Sequence, residues 1–137
     1  MLRNLLAAAV ASCLLAGCAT GTRGKNSVEL QSEPTLAVAT VYGDARLTPF
    51  VSVKKWETEL VRREAFTAAE WESIKAGKIG VGDSQEVVAA AWGSPDRITT
   101  HTEVGNSGQL WYFRGDTTLR PGGIVIFRGG RVASITR

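Results

Sequence analysis

Two capped helical stripes followed by four short β-patterned runs predict an α+β fold, in which two short helices pack on a small antiparallel sheet. Three observations carry this prediction. The helical signals come first and the strand signals after, without the alternation a parallel α/β sheet needs; glycine pairs and turn clusters separate the strands; and the apolar spacing switches from helical to alternating near residue 97. The 137 residues have room for about one domain. With 44% hydrophobic and 21% charged residues the balance is that of an ordinary globular protein, and a net charge of +3 is too small to make nucleic acid the default partner. Both cysteines, Cys13 and Cys18, fall within the first eighteen residues. The expected fold therefore holds no disulfide, thiolate nucleophile or cysteine zinc site.

Residues 1–17 read as an address. Arg3 precedes an apolar run from Leu5 to Leu15, the length of a signal-peptide core and shorter than the ~20 residues that span a bilayer. The run ends in Leu15-Ala16-Gly17-Cys18, which resembles the lipobox of bacterial lipoproteins. Small side chains at Ala16 and Gly17 fit a peptidase cleft, and the Cys18 thiol receives the lipid. Ala19 is not the aspartate that retains lipoproteins in the inner membrane, so the resemblance implies the periplasmic face of the outer membrane. Three acyl chains, palmitate-type among them, hold firmly at roughly 0.8 kcal/mol per buried methylene. Residues 18–34 are polar and turn-forming and read as a flexible tether reaching about 20–25 Å.

Residues 35–66 are ambiguous. Leu36, Val38 and Thr40 alternate with small residues, and Val51-Ser52-Val53 has the composition of a short strand. Trp56, Leu60 and Val61 instead fit a helical stripe, with Glu59 and Arg63 as an i,i+4 pair. From residue 67 the signals sharpen, and 67–137 is expected to be the folded domain. Thr67-x-x-Glu70 is a capping-box pattern, Ala68, Trp71 and Ile74 share a helical face, and Gly77 stands where a helix stops. Asp83 or Ser84 caps the next helix, Val87, Val88, Ala91 and Trp92 form its stripe, and Gly93 and Pro95 end it. Trp71 and Trp92 are both expected in the core. Strands follow at 97–104, 109–114, 124–128 and 131–136, with a turn at 105–108 and a two-residue Gly129-Gly130 hairpin.

Candidate chemistry is sparse. His101, the only histidine, alternates with Thr99 and Glu103 on the polar face of a strand, which is the pattern of a solvated residue. No Gly-x-Ser-x-Gly elbow, His-x-x-x-His or cysteine pair accompanies it, so the sequence supplies no catalytic set, no metal site and no cofactor motif. Gly77-Lys78-Ile79-Gly80-Val81-Gly82 lacks the Gly-Lys-Ser/Thr ending of a phosphate loop and reads as a tight connection between helices. Charge is more informative. Residues 54–96 carry six basic and eight acidic groups, whereas residues 97–137 carry six arginines against Glu103 and Asp116. Arginine with an exposed aromatic makes a plausible interface. Trp111 and Tyr112 must point to opposite faces of one strand, so the outward one, with Arg114, Arg128 and Arg131, is the candidate binding patch for an acidic protein or anionic lipid head groups.

Four motifs in order carry a family resemblance: Gly82-Asp83-Ser84-Gln85-Glu86-Val87, Trp92-Gly93-Ser94-Pro95-Asp96, Gln109-Leu110-Trp111-Tyr112-Phe113, and Val125-Ile126-Phe127-Arg128-Gly129-Gly130-Arg131-Val132. They resemble the SmpA/OmlA (BamE-like) family of outer-membrane lipoproteins. The resemblance implies two helices on a small antiparallel sheet and a non-enzymatic scaffold role in outer-membrane protein assembly or envelope integrity, with the β-barrel assembly complex as one candidate partner. Asp83 stands where the family usually has methionine, and nothing matches the Tyr-Arg-Pro-Asp-Ile-type segment that follows the lipidated cysteine in the assembly-complex member. A paralogue with its own partner is the alternative within the family. Outside it, the alternative is an inhibitor-like module that docks on a periplasmic hydrolase, since helices on such a sheet also resemble β-lactamase-inhibitor folds.

Overall fold

The computed structural model describes residues 22–103, 106–115 and 120–137. The chain is α+β: a helical turn at 22–24 and the five helices described below precede a four-stranded antiparallel sheet. The expected signal segment, residues 1–17, and Cys18 lie outside the described residues.

Helix α1, Ser27–Leu30, interrupts the segment expected to be a tether. Its cause is a capping box: Asn26 Oδ1 accepts from the backbone N–H of Val28 and Glu29, both at 3.0 Å, and Glu29 Oε2 accepts from the Asn26 N–H at 2.8 Å. The cap aims Leu30 into the core, where it is fully buried.

The ambiguous region is helical. Helix α2, Thr35–Leu47, overturns the strand alternative for Leu36, Val38 and Thr40. It is buried on nearly every side, at Val38, Ala39, Thr40, Val41, Tyr42, Gly43 and Ala45. Helix α3, Lys54–Arg62, follows the helical alternative, burying Trp56 and Leu60. The expected Glu59–Arg63 pair forms at 2.8 Å, and Arg62 joins it at 2.7 Å. Arg63 also donates to the Leu30 carbonyl at 2.7 Å and to Thr35 Oγ1 at 3.1 Å, so one guanidinium fastens α1, α2 and α3 together. Residues 51–53 form no strand.

Helices α4, Ala68–Lys75, and α5, Gln85–Trp92, start as the capping signals require: Thr67 and Glu70 form a reciprocal box, and Ser84, not Asp83, caps α5. Asp83 serves the connection instead, its Oδ2 accepting from the Gly80 N–H at 2.7 Å. Gly77, at φ 69°, closes α4 with the paired bonds Gly77 N–H to Ile74 O and Lys78 N–H to Ser73 O.

Residues 35–66, expected to precede the domain, share one core with the elements that follow them. At Gly43, α2 crosses α5 with the two backbones in contact: a Cβ there would sit 2.7 Å from the Gly93 nitrogen and closer still to the Ala89 carbonyl oxygen. Asp44 then accepts from the Ser94 N–H at 2.7 Å and from Ser94 Oγ at 2.6 Å, while Arg46 donates to Ala90 O at 3.0 Å and Lys75 O at 3.1 Å. These bonds satisfy the carbonyls and the exit at the ends of α4 and α5 from a neighbouring helix. One continuous core runs from Leu30 to Val132.

The sheet has the order β1-β2-β3-β4, with β1 Arg97–Glu103, β2 Asn106–Phe113, β3 Gly123–Arg128 and β4 Arg131–Thr136. Asn106, Ser107 and Gly108, expected in a turn, are strand residues opposite Glu103, Thr102 and His101. The inner face carries Trp111, Phe113, Val125, Phe127 and Val132, all buried. Trp92 meets Phe113 edge-on at 5.2 Å and donates from its indole N–H to the Gly77 carbonyl at 2.9 Å, joining α5 to β2 and to the α4–α5 connection. Trp71 is only half-buried, at the core margin, edge-on to Tyr42 and Phe66.

Candidate functional site

Strand alternation sorts the two aromatics of β2. Trp111 is 1% exposed, tilted against Phe127 with ring centres 4.6 Å apart, and its indole N–H is bonded to Gln109 Oε1 at 3.0 Å. It belongs to the core and leaves the candidate patch. Tyr112 is therefore the outward aromatic.

The register builds the outer face row by row. Arg97, Tyr112, Ile124 and Thr136 lie side by side across the four strands; Thr99, Leu110, Ile126 and Ser134 form the next row; His101, Gly108, Arg128 and Arg131 form the third. The centre is apolar, with Leu110, Tyr112, Ile124 and Ile126 half-buried by their own neighbours and still reachable by solvent. Arginines stand at its margins. The Arg97 guanidinium lies over the Tyr112 ring at 4.2 Å, a cation–π contact that stiffens both groups. Arg128 and Arg131 face each other beside a Gly129-Gly130 turn whose φ values are 59° and 76°, so the expected two-residue hairpin brings like charges opposite one another.

The six arginines of the sheet half divide by role. Arg120 is 8% exposed, paired with Asp96 at 2.6 Å and seated over Phe113 at 5.2 Å. Arg137 lies 6.0 Å from the Trp92 ring centre. Arg97, Arg114, Arg128 and Arg131 are exposed. Arg114 follows the end of β2, its backbone N–H held by Asp96 Oδ2 at 2.6 Å, and Arg131 Nη1 donates to the Gly82 carbonyl at 3.0 Å. The face thus contains Tyr112, Arg128 and Arg131 of the expected patch, with Arg114 at the strand end. Reading the sequence alone missed Arg97 and the apolar centre of Leu110, Ile124 and Ile126. The signal for them was present as continuous β-favouring residues on both faces of β2 and β3, which a one-sided sheet would not need.

The other charged clusters are structural. Hydrogen bonding from Arg62 holds the Glu59 carboxyl down at about 2, against the opposing effect of burial, and the Arg63 hydrogen bond adds to the depression. Burial pushes the Tyr42 phenol up to about 12, with Arg46 opposing and Glu57 reinforcing the shift. His101 is exposed on β1, opposite Gly108. No group of three or more His, Cys, Asp or Glu among the described residues could hold a metal ion, and no described helix is long and apolar enough to cross a membrane.

Comparisons with protein-family models, curated proteins and solved structures each return no match.

Proposed function

We propose that this chain is an outer-membrane lipoprotein of the SmpA/OmlA (BamE-like) type, anchored through acylated Cys18 at the periplasmic face, and that it acts as a non-enzymatic binding module in outer-membrane protein assembly or envelope integrity. The observation that carries the binding role is the outer sheet face: an apolar centre of Leu110, Tyr112, Ile124 and Ile126 bordered by Arg97, Arg128 and Arg131. Aromatic and arginine side chains around a desolvating apolar centre are the composition of an interface hot spot. The positive margin favours an acidic protein surface, and Arg128 and Arg131, opposite one another in the register, concentrate two of its charges at one end. The lipobox residues Leu15-Ala16-Gly17-Cys18 support the anchor, and the four ordered motifs from Gly82 to Val132 support the family.

The test is a detergent pull-down of the acylated protein with identification of what it retains. Co-purification of β-barrel assembly components supports this reading, and tight retention of a periplasmic hydrolase supports the inhibitor-like alternative. Arg97→Glu with Arg128→Glu reverses two margin charges without touching the Arg131 bond to Gly82. The double variant should keep its circular dichroism spectrum and lose at least about tenfold in partner affinity, a loss of hot-spot size. Undiminished capture moves the binding site off this face.

A further inference from the structure

The connection between α2 and α3 carries an exposed apolar tip that the outer sheet face does not explain. It runs Thr48-Pro49-Phe50-Val51-Ser52-Val53. Phe50 is wholly exposed and sits at φ 65°, in the left-handed region that a bulky side chain rarely adopts. Val51 beside it is also exposed. A phenyl ring held in water on a strained backbone has no packing return within the chain, and such outliers cluster at functional sites. Between Asp44 and Glu57 the chain has no acidic residue, and Lys54 and Lys55 follow the tip directly.

The second observation is where this tip lies along the chain's own path. Lys55 Nζ donates to the carbonyl oxygens of Arg23 at 2.9 Å and Lys25 at 3.2 Å. The start of α3 is thereby fastened to the stretch that arrives from Cys18, five residues before Arg23. Five residues separate Phe50 from Lys55 as well, so Cys18 and Phe50 are each within about 18 Å of backbone from the two ends of the same contact. Arg23, which is exposed, adds a further cation to this end of the molecule, whereas the Lys25 ammonium is paired with Glu33.

We infer that the Phe50-Val51 tip rests in the interface of the phospholipid bilayer that holds the Cys18 lipid, with Arg23, Lys54 and their neighbours facing anionic head groups. The inference rests on the anchor reading above and adds a second point of membrane contact to it. Aromatic and aliphatic side chains enter the headgroup–acyl boundary while nearby lysines and arginines meet phosphate, the division of labour of an interfacial segment. A lipid tether alone leaves a domain free to swivel; a second contact close to the tether fixes which end faces the bilayer.

The experiment uses the acylated protein purified from cells and reconstituted in vesicles of phosphatidylglycerol and phosphatidylethanolamine. Phe50→Cys, and Val81→Cys as an exposed apolar comparison in the α4–α5 connection, are each labelled with an environment-sensitive fluorophore, and brominated lipids serve as the quencher. Mass spectrometry reads acylation at Cys18 in the same samples, and circular dichroism confirms the fold. The expected result is a blue shift and about twofold or greater quenching at position 50, with position 81 unaffected, because only an interfacial residue meets the brominated chains. Acylated protein with position 50 unquenched overturns the inference and leaves the anchor intact. Equal quenching at both positions, or shielding of position 50 only when envelope proteins are added, overturns it in favour of general adsorption or a protein partner. Absence of acylation at Cys18 overturns the anchor reading and this inference with it.

Discussion

Glu59 shows how a buried acid becomes structural. Its carboxylate is nearly enclosed, yet hydrogen bonds from Arg62 and Arg63 keep it ionised down to about pH 2, below the ordinary 4.5. A carboxylate depressed on folding contributes stability above its ordinary value and loses that contribution as pH falls toward the folded one. The unfolding midpoint should therefore drop between pH 4.5 and 2, and Glu59→Gln should flatten that acid limb while lowering stability at neutral pH. Chemical denaturation across the acid range checks both; an unchanged limb in the variant would place the acid sensitivity elsewhere. Glu64 is a second residue-scale case. It occupies the same helix-exit position after α3 that Gly77 occupies after α4, at φ 50°, with Ala65 N–H bonded to Leu60 O and Glu64 N–H to Val61 O. A side chain in this conformation costs about 1 kcal/mol, so Glu64→Gly should stabilise the protein by about 0.5–1 kcal/mol in thermal unfolding. The pair also explains what a reader of the sequence can see. Gly77 announces the end of its helix by residue type, whereas Glu64 makes the same turn with a residue that carries no such signal.

At the scale of elements, legibility follows exposure. Helices α4 and α5 each begin with a side-chain cap, and α4 ends at Gly77, so their ends were written in residue type. The strands alternated, and the Gly129-Gly130 turn fixed the last hairpin. Helix α2 is different: buried on nearly all sides, it has no polar face to set a 3.6-residue period, and its alternating small residues imitate a strand. Those small residues have a packing cause. Gly43 brings α2 against the backbone of α5, and Gly43→Ala places a methyl group where the Ala89 carbonyl and the Gly93 nitrogen already stand. The expected loss is about 1–3 kcal/mol or more from overpacking, measured as a lower denaturation midpoint with unchanged helix content at low denaturant. A neutral Gly43→Ala would mean that the two helices do not cross there. Helix α1 was missed for a simpler reason: its capping box encloses only four residues, too few for any periodic signal.

Across the whole molecule, the tie between its two halves changes what the proposed binding face stands on. Asp44 with Ser94, Arg46 with the carbonyls of Ala90 and Lys75, and Trp92 between Gly77 and Phe113 carry α2, α4, α5 and β2 as one packed unit. The outer sheet face is backed by this packed core, with Arg97 lying over its Tyr112 ring, so the proposed binding would need little ordering. Which β2 aromatic points outward could not be read from the strand alone, because Trp111 and Tyr112 are both β-favouring; the helices covering the inner face decided it. The most direct test of the binding role is photo-crosslinking in intact cells from a benzophenone amino acid at position 112, with position 72 on the exposed side of α4 as the reference. The outer face predicts a discrete adduct with an envelope protein from position 112, absent from position 72 and weakened by Arg97→Glu with Arg128→Glu; adducts from position 72 alone, or none from either, would contradict it.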